Sequence, residues 1–369
     1  MDLASLTSLR LGGPAARFVE VGSSADLVEA VRAADAAGEP LLVLGGGTNV
    51  VVADEGFAGV VVRDTRSEIA VDDTGVCAGA SITVPAGVPW QTVVDRAVAE
   101  GWIGVEALTG IPGSTGATPV QNVGAYGQEV SGVVSTVRTW DREQGRVRTL
   151  ALTDLAFGYR TSVLKQSLRG PDGAPSPWAP TPRFVVLEVG LQLRLGRQSA
   201  PVAYAELART LGIEVGARAP LTDVALAVTE LRRSKGMVLD PTDHDTWSAG
   251  SFFTNPVVAA DLDTLPAAAP RYPVRSSVPE TTSGASLGAV DPTLVKTSAA
   301  WLIEQAGFTR GHGLPGPVAL STKHTLALTN RGGATTAQLL TLAREVRDGV
   351  RESFGVTLEP EPVLVGVSL

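Results

Sequence analysis

The run Leu108-Thr-Gly-Ile-Pro-Gly-Ser-Thr-Gly-Ala-Thr-Pro-Val-Gln-Asn-Val-Gly-Ala-Tyr-Gly127 alternates glycine with small hydroxyls and has no hydrophobic period. It is therefore neither an ordinary helix nor a strand. Gly110, Gly113, Gly116, Gly124 and Gly127 let the backbone take left-handed conformations and approach a partner closely. Backbone N–H groups and the hydroxyls of Ser114, Thr115 and Thr118 offer donors to an anion. A diphosphate-bearing cofactor fits that description; composition alone fits a long surface loop equally well. Leu41-Leu-Val-Leu-Gly-Gly-Gly-Thr-Asn49 shifts the balance. There an apolar run enters three consecutive glycines and a second apolar run follows, so a strand feeds a tight, anion-compatible turn with no helix behind it.

Neither stretch is a dinucleotide fingerprint of the Rossmann type. No G-x-G-x-x-G opens a helix with an acidic residue roughly 20 positions on, and no Walker lysine follows. A cofactor, if held here, is held differently.

The chain's 369 residues, 44% of them apolar, are enough for about two to three domains with sizeable cores. A net charge of −8 argues against binding nucleic acid or an acidic membrane, while leaving room for a small anionic ligand met by local Arg and Lys. The single cysteine, Cys77, excludes an internal disulfide, and His244, His312 and His324 show no metal-ligand spacing, so no metal site is expected. The start Met-Asp-Leu-Ala-Ser-Leu lacks a basic region followed by an apolar core, and no apolar run approaches the ~18 residues of a membrane span. The expectation is a cytoplasmic protein.

In chain order, Ser24 is expected to cap a helix over Leu27, Val28, Val31 and Ala34 that stops at Gly38, with strands 41–44, Val50-Val-Val and Val60-Val-Val completing a small α/β unit. A strand over 76–84 and a helix carrying Trp90, Val93, Val94, Ala97 and Val98 precede the glycine stretch. A hairpin about Glu143-Gln-Gly145 and the two-residue period from Val185 to Leu195 predict a second sheet. Residues 167–182 read as a surface insertion with too few apolar positions to pack. After a boundary near residue 200 come helices around 204–211 and 221–235, and then Ser248-Ala-Gly-Ser-Phe-Phe-Thr-Asn-Pro256. A Pro/Ser-rich linker over 265–288, a helix carrying Val295, Ala299, Leu302 and Ile303, and a long helix with Leu339, Leu342, Val346, Val350 and Phe354 follow. A strand over 356–365 closes the chain.

Taken together, Leu44-Gly-Gly-Gly-Thr-Asn49, Ile111-Pro-Gly-Ser114, Pro119-Val-Gln-Asn-Val-Gly-Ala-Tyr-Gly127, Gly158-Tyr-Arg160, Gly250-Ser-Phe-Phe253 and Leu358-Glu-Pro-Glu361 resemble the UDP-N-acetylenolpyruvoylglucosamine reductase family. Each piece is weak alone; their joint presence in this order across nearly the whole chain is specific. The resemblance implies an α/β (α+β) protein. A p-cresol-methylhydroxylase-type FAD-binding domain would fill residues 1–199, in lobes of about 1–65 and 66–199, with an α+β substrate-binding domain over 200–369 whose last strand returns to the active site. It implies non-covalent FAD, NADPH as co-substrate, and reduction of a UDP-sugar enolpyruvyl ether to UDP-N-acetylmuramate for peptidoglycan. A cytoplasmic monomer without nucleic-acid or membrane partners is expected.

Residue by residue, the resemblance assigns the flavin to Leu44, Gly45, Gly46, Gly47, Thr48, Asn49, Ile111, Pro112, Gly113, Ser114, Gly116, Ala117, Gln121, Asn122, Gly124, Ala125 and Tyr126. Tyr204, Lys235 and Asn255 fall to the substrate, and Arg160, Ser251 and Glu361 to catalysis, with Tyr204 matching the tyrosine of the form with an extended substrate domain. The chemistry asks for such groups. Hydride added to the terminal carbon of an enolpyruvyl ether leaves electron density α to the carboxylate, which needs a cation to stabilise it and an acid to quench it. Arg160 has the fork to hold that carboxylate, and Glu361 shares or positions the charge. Ser251 is the proton donor, adequate despite its weak acidity because the acceptor carbon is strongly basic.

Without the motifs, Ser251 would read as a turn or cap residue, Arg160 as a surface ion-pair residue, Glu361 as a β-edge charge and Tyr204 as packing. Thr161 and Thr48 depart from the family's usual Asp and Ser, and the 167–182 insertion is longer than usual. Two other readings use the same residues less fully: an FAD oxidase on the same fold, and a non-catalytic UDP-sugar-binding protein.

Overall fold

The computed structural model describes residues 1–75, 78–275 and 288–369, so Cys77, the first residues of the strand expected from 76, and half of the expected linker lie outside it. Packing divides the chain into two compact units. Met1, Ala15–Gly46 and Ala58–Val238 form the first; Asp2–Pro14, Gly47–Phe57 and Leu239–Leu369 form the second.

In the first unit a three-stranded sheet runs Ala15–Val21, Phe57–Asp64, Leu41–Val43, the last two strands parallel with Leu41 opposite Val60. The strand Ala15–Val21 escapes the sequence reading because its Arg and Glu interrupt any apolar run. The helix Ser24–Ala37 is capped by Ser23, one residue before the expected Ser24, and stops at Gly38 with φ +63°. Glycine takes that conformation without the steric cost of a side chain. Leu27, Val31 and Ala34 bury against Trp140, Val185 and Leu187.

A larger sheet runs Arg146–Ala151, Val134–Asp141, Phe184–Leu195, Gly79–Pro85, Ala70–Gly75. Its long strand serves two cores, because its pairing with Val134–Asp141 shifts register between Glu188 and Val186, and the side chains before and after that irregularity face opposite sides with opposite parity. Val185 and Leu187 join the helix Ser24–Ala37, while Val186, Val189, Leu191 and Leu193 meet the helix Trp90–Glu100.

Residues 167–182 do pack, through polar groups rather than the apolar ones the sequence lacks. Leu41–Val43 is an edge strand, and the buried Thr181 hydroxyl accepts from Val43 N–H (2.8 Å) and donates to Leu41 O (2.9 Å). Leaving two such buried groups unpaired would cost about 1–3 kcal/mol each. Arg142 ties the same segment down by donating to Asp35 (2.6 Å), Trp178 O and Thr181 O, with its guanidinium 4.9 Å from the Trp178 ring centroid. The insertion thereby fixes the strand that enters the triple-glycine turn.

The helices Ala205–Leu211 and Leu221–Ser234 also belong to the first unit, through a cluster of Ala107, Val202, Leu207, Ala208, Val224 and Val228. The packing division thus falls after Val238 rather than near residue 200.

In the second unit, Val50–Val52 pairs in parallel with Val363–Val365, a partnership made with the far end of the chain rather than with the expected early α/β unit. Only 363–365 of the expected 356–365 strand is regular. The helix Thr336–Phe354 has a capping box of Thr335 and Gln338 and ends at Gly355. Asp54 accepts from Thr336 and Ala337 N–H at 2.7 and 2.9 Å, a carboxylate at the positive end of a helix. Two expectations are corrected here. Val295 lies in the strand Val290–Lys296, which pairs with Val257–Ala259 and Tyr272–Arg275, and the helix starts only at Ala299. Leu265 and Ala269, expected in a linker, are buried in the core.

Candidate active site

Gly45 and Gly46, which open the triple-glycine turn, meet the central glycine run within the first unit. Leu44 donates its N–H to Val62 O (2.9 Å), so the sheet ends there and Gly45 begins the turn. A Cβ on Gly45 would stand 2.3 Å from Ser114 Oγ, and one on Gly46 would stand 2.7 Å from Gly113 Cα. Among the described residues the N–H groups of Gly45, Gly46 and Gly47 donate to no protein acceptor. Close backbone approach with undirected N–H groups is what a diphosphate requires. The residues present therefore fit FAD.

Not every expected donor is available. The Thr115 hydroxyl donates to Val88 O (2.9 Å) and that of Thr118 to Thr115 O (2.8 Å), both buried. Thr115 and Gly116 N–H groups donate to Val88 and Ala86. These groups hold the loop to the helix-bearing core instead of facing an anion. Gly116 is needed because a Cβ there would fall 2.5 Å from Ala86 Cβ. Ile111, Pro112 and Gly113 are half-buried and Ala117 is exposed.

The short pair Gly124–Ala125 and Gln128–Glu129 positions the next group. Arg160 sits at the tip of the tight turn closed by Gly158 and Thr161, with φ +52°. Its guanidinium donates to Gly124 O (2.6 Å) and Asn122 O (3.3 Å). Asn122 in turn donates to Glu129 (2.8 Å) and to Gly158 O (3.1 Å), so the Pro119–Gly127 motif and the Gly158–Arg160 motif form one structure. Thr161 closes this turn through its backbone, which any residue can do, so its departure from Asp leaves the turn intact. Gln121 accepts from Lys165 (3.1 Å), a residue the motifs do not mark.

Tyr126 gathers a further cluster. The Tyr204 ring packs edge-on against it at 5.4 Å between centroids, and Lys235 Nζ lies 5.6 Å from its ring centroid. Burial pushes the Tyr126 hydroxyl pKa up, against the pull of Lys235 and Arg232. Arg232, one turn before Lys235 and thus on the same helix face, went unnoticed in the sequence although that spacing could have found it. Burial brings its pKa down to about 10. It donates to Met237 O (2.9 Å), while its buried Nε has no hydrogen-bond partner among the described residues. Glu206 pairs with Lys235 at 2.6 Å and was likewise missed.

The second unit brings Ser251, Glu361 and Asn49 together. Phe252 and Phe253 are fully buried with ring centroids 5.1 Å apart, and they anchor the half-buried Ser251 beside them. Glu361 N–H donates to Phe252 O (2.9 Å), and Phe253 bridges to Pro360. Val363 N–H donates to Asn49 O (3.0 Å), and Asn49 Nδ2 reaches Glu361 O at 3.5 Å. No helix begins at Ser251, so it is not a cap. Asn255 accepts from Ala299 N–H at 2.9 Å, bracing the start of the helix Ala299–Gln305.

Known proteins resemble the chain along its whole length. The family model for the C-terminal domain of UDP-N-acetylenolpyruvoylglucosamine reductase matches residues 240–365, and an FAD binding domain model matches 15–151. UDP-N-acetylenolpyruvoylglucosamine reductase of Thermobifida fusca (strain YX) is 53% identical over all of this chain and 98% of its own. That of Saccharopolyspora erythraea is 55% identical over all of this chain and 95% of its own. The crystal structure of the Thermus caldophilus reductase is similar in fold, with a TM-score of 0.61 at 22% identity over 99% of this chain and 97% of that one.

Proposed function

Because the chain belongs to the UDP-N-acetylenolpyruvoylglucosamine reductase family, we propose that Arg160, Ser251 and Glu361 carry the family's reaction in this protein. That reaction is the NADPH-dependent, FAD-mediated reduction of UDP-N-acetyl-3-O-(1-carboxyvinyl)glucosamine to UDP-N-acetylmuramate, a step of peptidoglycan synthesis. The enzyme is an oxidoreductase and a flavoprotein. Bound FAD would supply the hydride relay from NADPH to the enolpyruvyl carbon. The Gly45–Asn49 turn and the Ile111–Ser114 loop would hold it, with Gly116, Ala117 and the Gln121–Tyr126 segment alongside.

The observation that carries the assignment is Arg160 held by two carbonyls at the tip of a strained turn. A guanidinium fixed in this way is oriented before substrate arrives, and its planar charged fork suits a carboxylate whose charge grows during the reaction. Ser251 gives its hydroxyl proton to the carbon α to that carboxylate, and Glu361, joined to the Ser251 segment by backbone bonding, positions the charge there. Hydride and proton together add one H2 equivalent across the C=C bond. Tyr204 and Lys235 hold the UDP end, and Asn255 is a further substrate-binding residue. We read the substrate region as starting near residue 200, although its first two helices pack in the first unit.

Among the described residues no helix is long and apolar enough to cross a membrane, and no group of His, Cys, Asp and Glu could hold a metal. We place the enzyme in the cytoplasm as a monomer. The test is direct. A yellow protein should yield its colour to the supernatant on acid precipitation, and should consume NADPH only when the enolpyruvyl UDP-sugar is present. Colour that stays with the chain, or turnover without the sugar, would overturn the reading.

The UDP placement makes its own prediction. Tyr204→Phe and Lys235→Ala should raise KM for the UDP-sugar about tenfold or less, while slowing flavin reduction by NADPH much less, because uniform binding is lost rather than transition-state stabilisation. Steady-state kinetics with varied sugar checks this, and an unchanged KM in both variants sinks it.

A further inference from the structure

Lys235 is the cation that the proposed function assigns to the diphosphate, yet in the protein alone its ammonium is engaged. Glu206 Oε2 lies 2.6 Å from Nζ, which also lies 5.6 Å from the ring centroid of Tyr126. Glu206 stands in the first turn of Ala205–Leu211, two residues after Tyr204, so the same short segment supplies a ring for the nucleotide and a carboxylate against it. The two side chains are about a third exposed, at 31% and 36%, so solvent and an entering anion can reach the pair.

We propose that Glu206 is the resting counter-ion of Lys235 and sets how tightly the charged end of a nucleoside diphosphate is held. The proposal rests on the reading that Lys235 meets the diphosphate. A lysine ammonium has three donors, one of them directed at Glu206. A diphosphate either displaces the carboxylate, losing the ion pair, or binds beside it and meets like charge. Both routes weaken binding by the same agent. As the product leaves, Glu206 recovers the ammonium and competes against rebinding. The penalty falls only on ligands whose negative charge reaches Lys235, so a nucleoside without phosphate should not feel it.

The test is UDP and uridine binding to the flavin-loaded enzyme by calorimetry, in wild type, Glu206→Gln, Glu206→Asp, Lys235→Ala and the Glu206→Gln/Lys235→Ala double variant. Glu206→Gln should bind UDP about two- to fivefold tighter, the range of a partly exposed ion pair, with uridine affinity unchanged. Glu206→Asp, which keeps the charge, should lie near wild type. In the Lys235→Ala background the same Gln substitution should have little effect, since a double-mutant cycle removes the effect with its partner. Weaker or unchanged UDP binding in Glu206→Gln overturns the proposal, and so does an equal gain for uridine. If Lys235→Ala alone leaves UDP affinity intact, the placement of Lys235 is wrong, a result distinct from a failure confined to Glu206.

Discussion

Ser251→Ala is expected to leave NADPH bleaching of the flavin at its normal rate while slowing reoxidation by the enolpyruvyl UDP-sugar by at least ~100-fold, the lower end of what a general acid supplies. The two half-reactions separate because a proton delivered to the substrate carbon has no part in hydride transfer from NADPH. The structure gives Ser251 a fixed place without giving it another duty as a cap. Its neighbours Phe252 and Phe253 are buried to 1% exposure, and the segment is bonded through Phe252 O to Glu361 N–H. Alanine therefore removes the hydroxyl without disturbing the anchor. Arg160→Ala should slow the same half-reaction, because the charge left on the substrate then has no guanidinium beside it. Rapid-mixing absorbance of the flavin reads both steps. Reoxidation of Ser251→Ala at the wild-type rate would return Ser251 to a turn residue.

The parts of this molecule that sequence makes legible are those set by local rules. The helix Thr336–Phe354 announces itself through Leu339, Leu342, Val346, Val350 and Phe354 and through Gly355, and the long strand through its alternation from Val185. The glycine runs speak for a close backbone approach, which Gly46 and Gly113 display. What sequence leaves hidden depends on partners distant in the chain. Nothing near Val50–Val52 says that it pairs with Val363–Val365. Thr115 and Thr118 look like anion donors until their carbonyl partners Val88 and Thr115 are seen. The insertion's task resides in one hydroxyl, Thr181, that is meaningful only beside an edge strand about 140 residues earlier. Glu206 and Arg232 sit on helices where charged side chains normally face water, and only the tertiary structure places them around Tyr126.

Gly46→Ala should cost the protein its flavin, whereas Gly45→Ala should be tolerated better, although the contact at Gly45 is shorter. The difference lies in what the new methyl would meet. At Gly45 the obstacle is Ser114 Oγ, the end of a side chain that can rotate away, with Ser114 Cβ at 3.4 Å. At Gly46 it is the backbone of Gly113, with Cα at 2.7 Å and the carbonyl carbon at 3.1 Å, and a backbone pinned on both sides has no such freedom. Gly113 is pinned because its carbonyl accepts from Trp90 N–H (2.9 Å), while Ser114 next to it bridges to Pro89. The two turns must then separate, which opens the place where both were to meet the diphosphate. Overpacking of this kind costs about 1–3 kcal/mol. If that strain falls on the loaded state, FAD affinity drops by about five- to 150-fold. The flavin-to-protein absorbance ratio after gel filtration and FAD titration of the stripped protein measure the loss, with circular dichroism confirming that the chain is folded. A Gly46→Ala protein that is folded and keeps FAD as tightly as wild type would place the cofactor elsewhere than between these two turns.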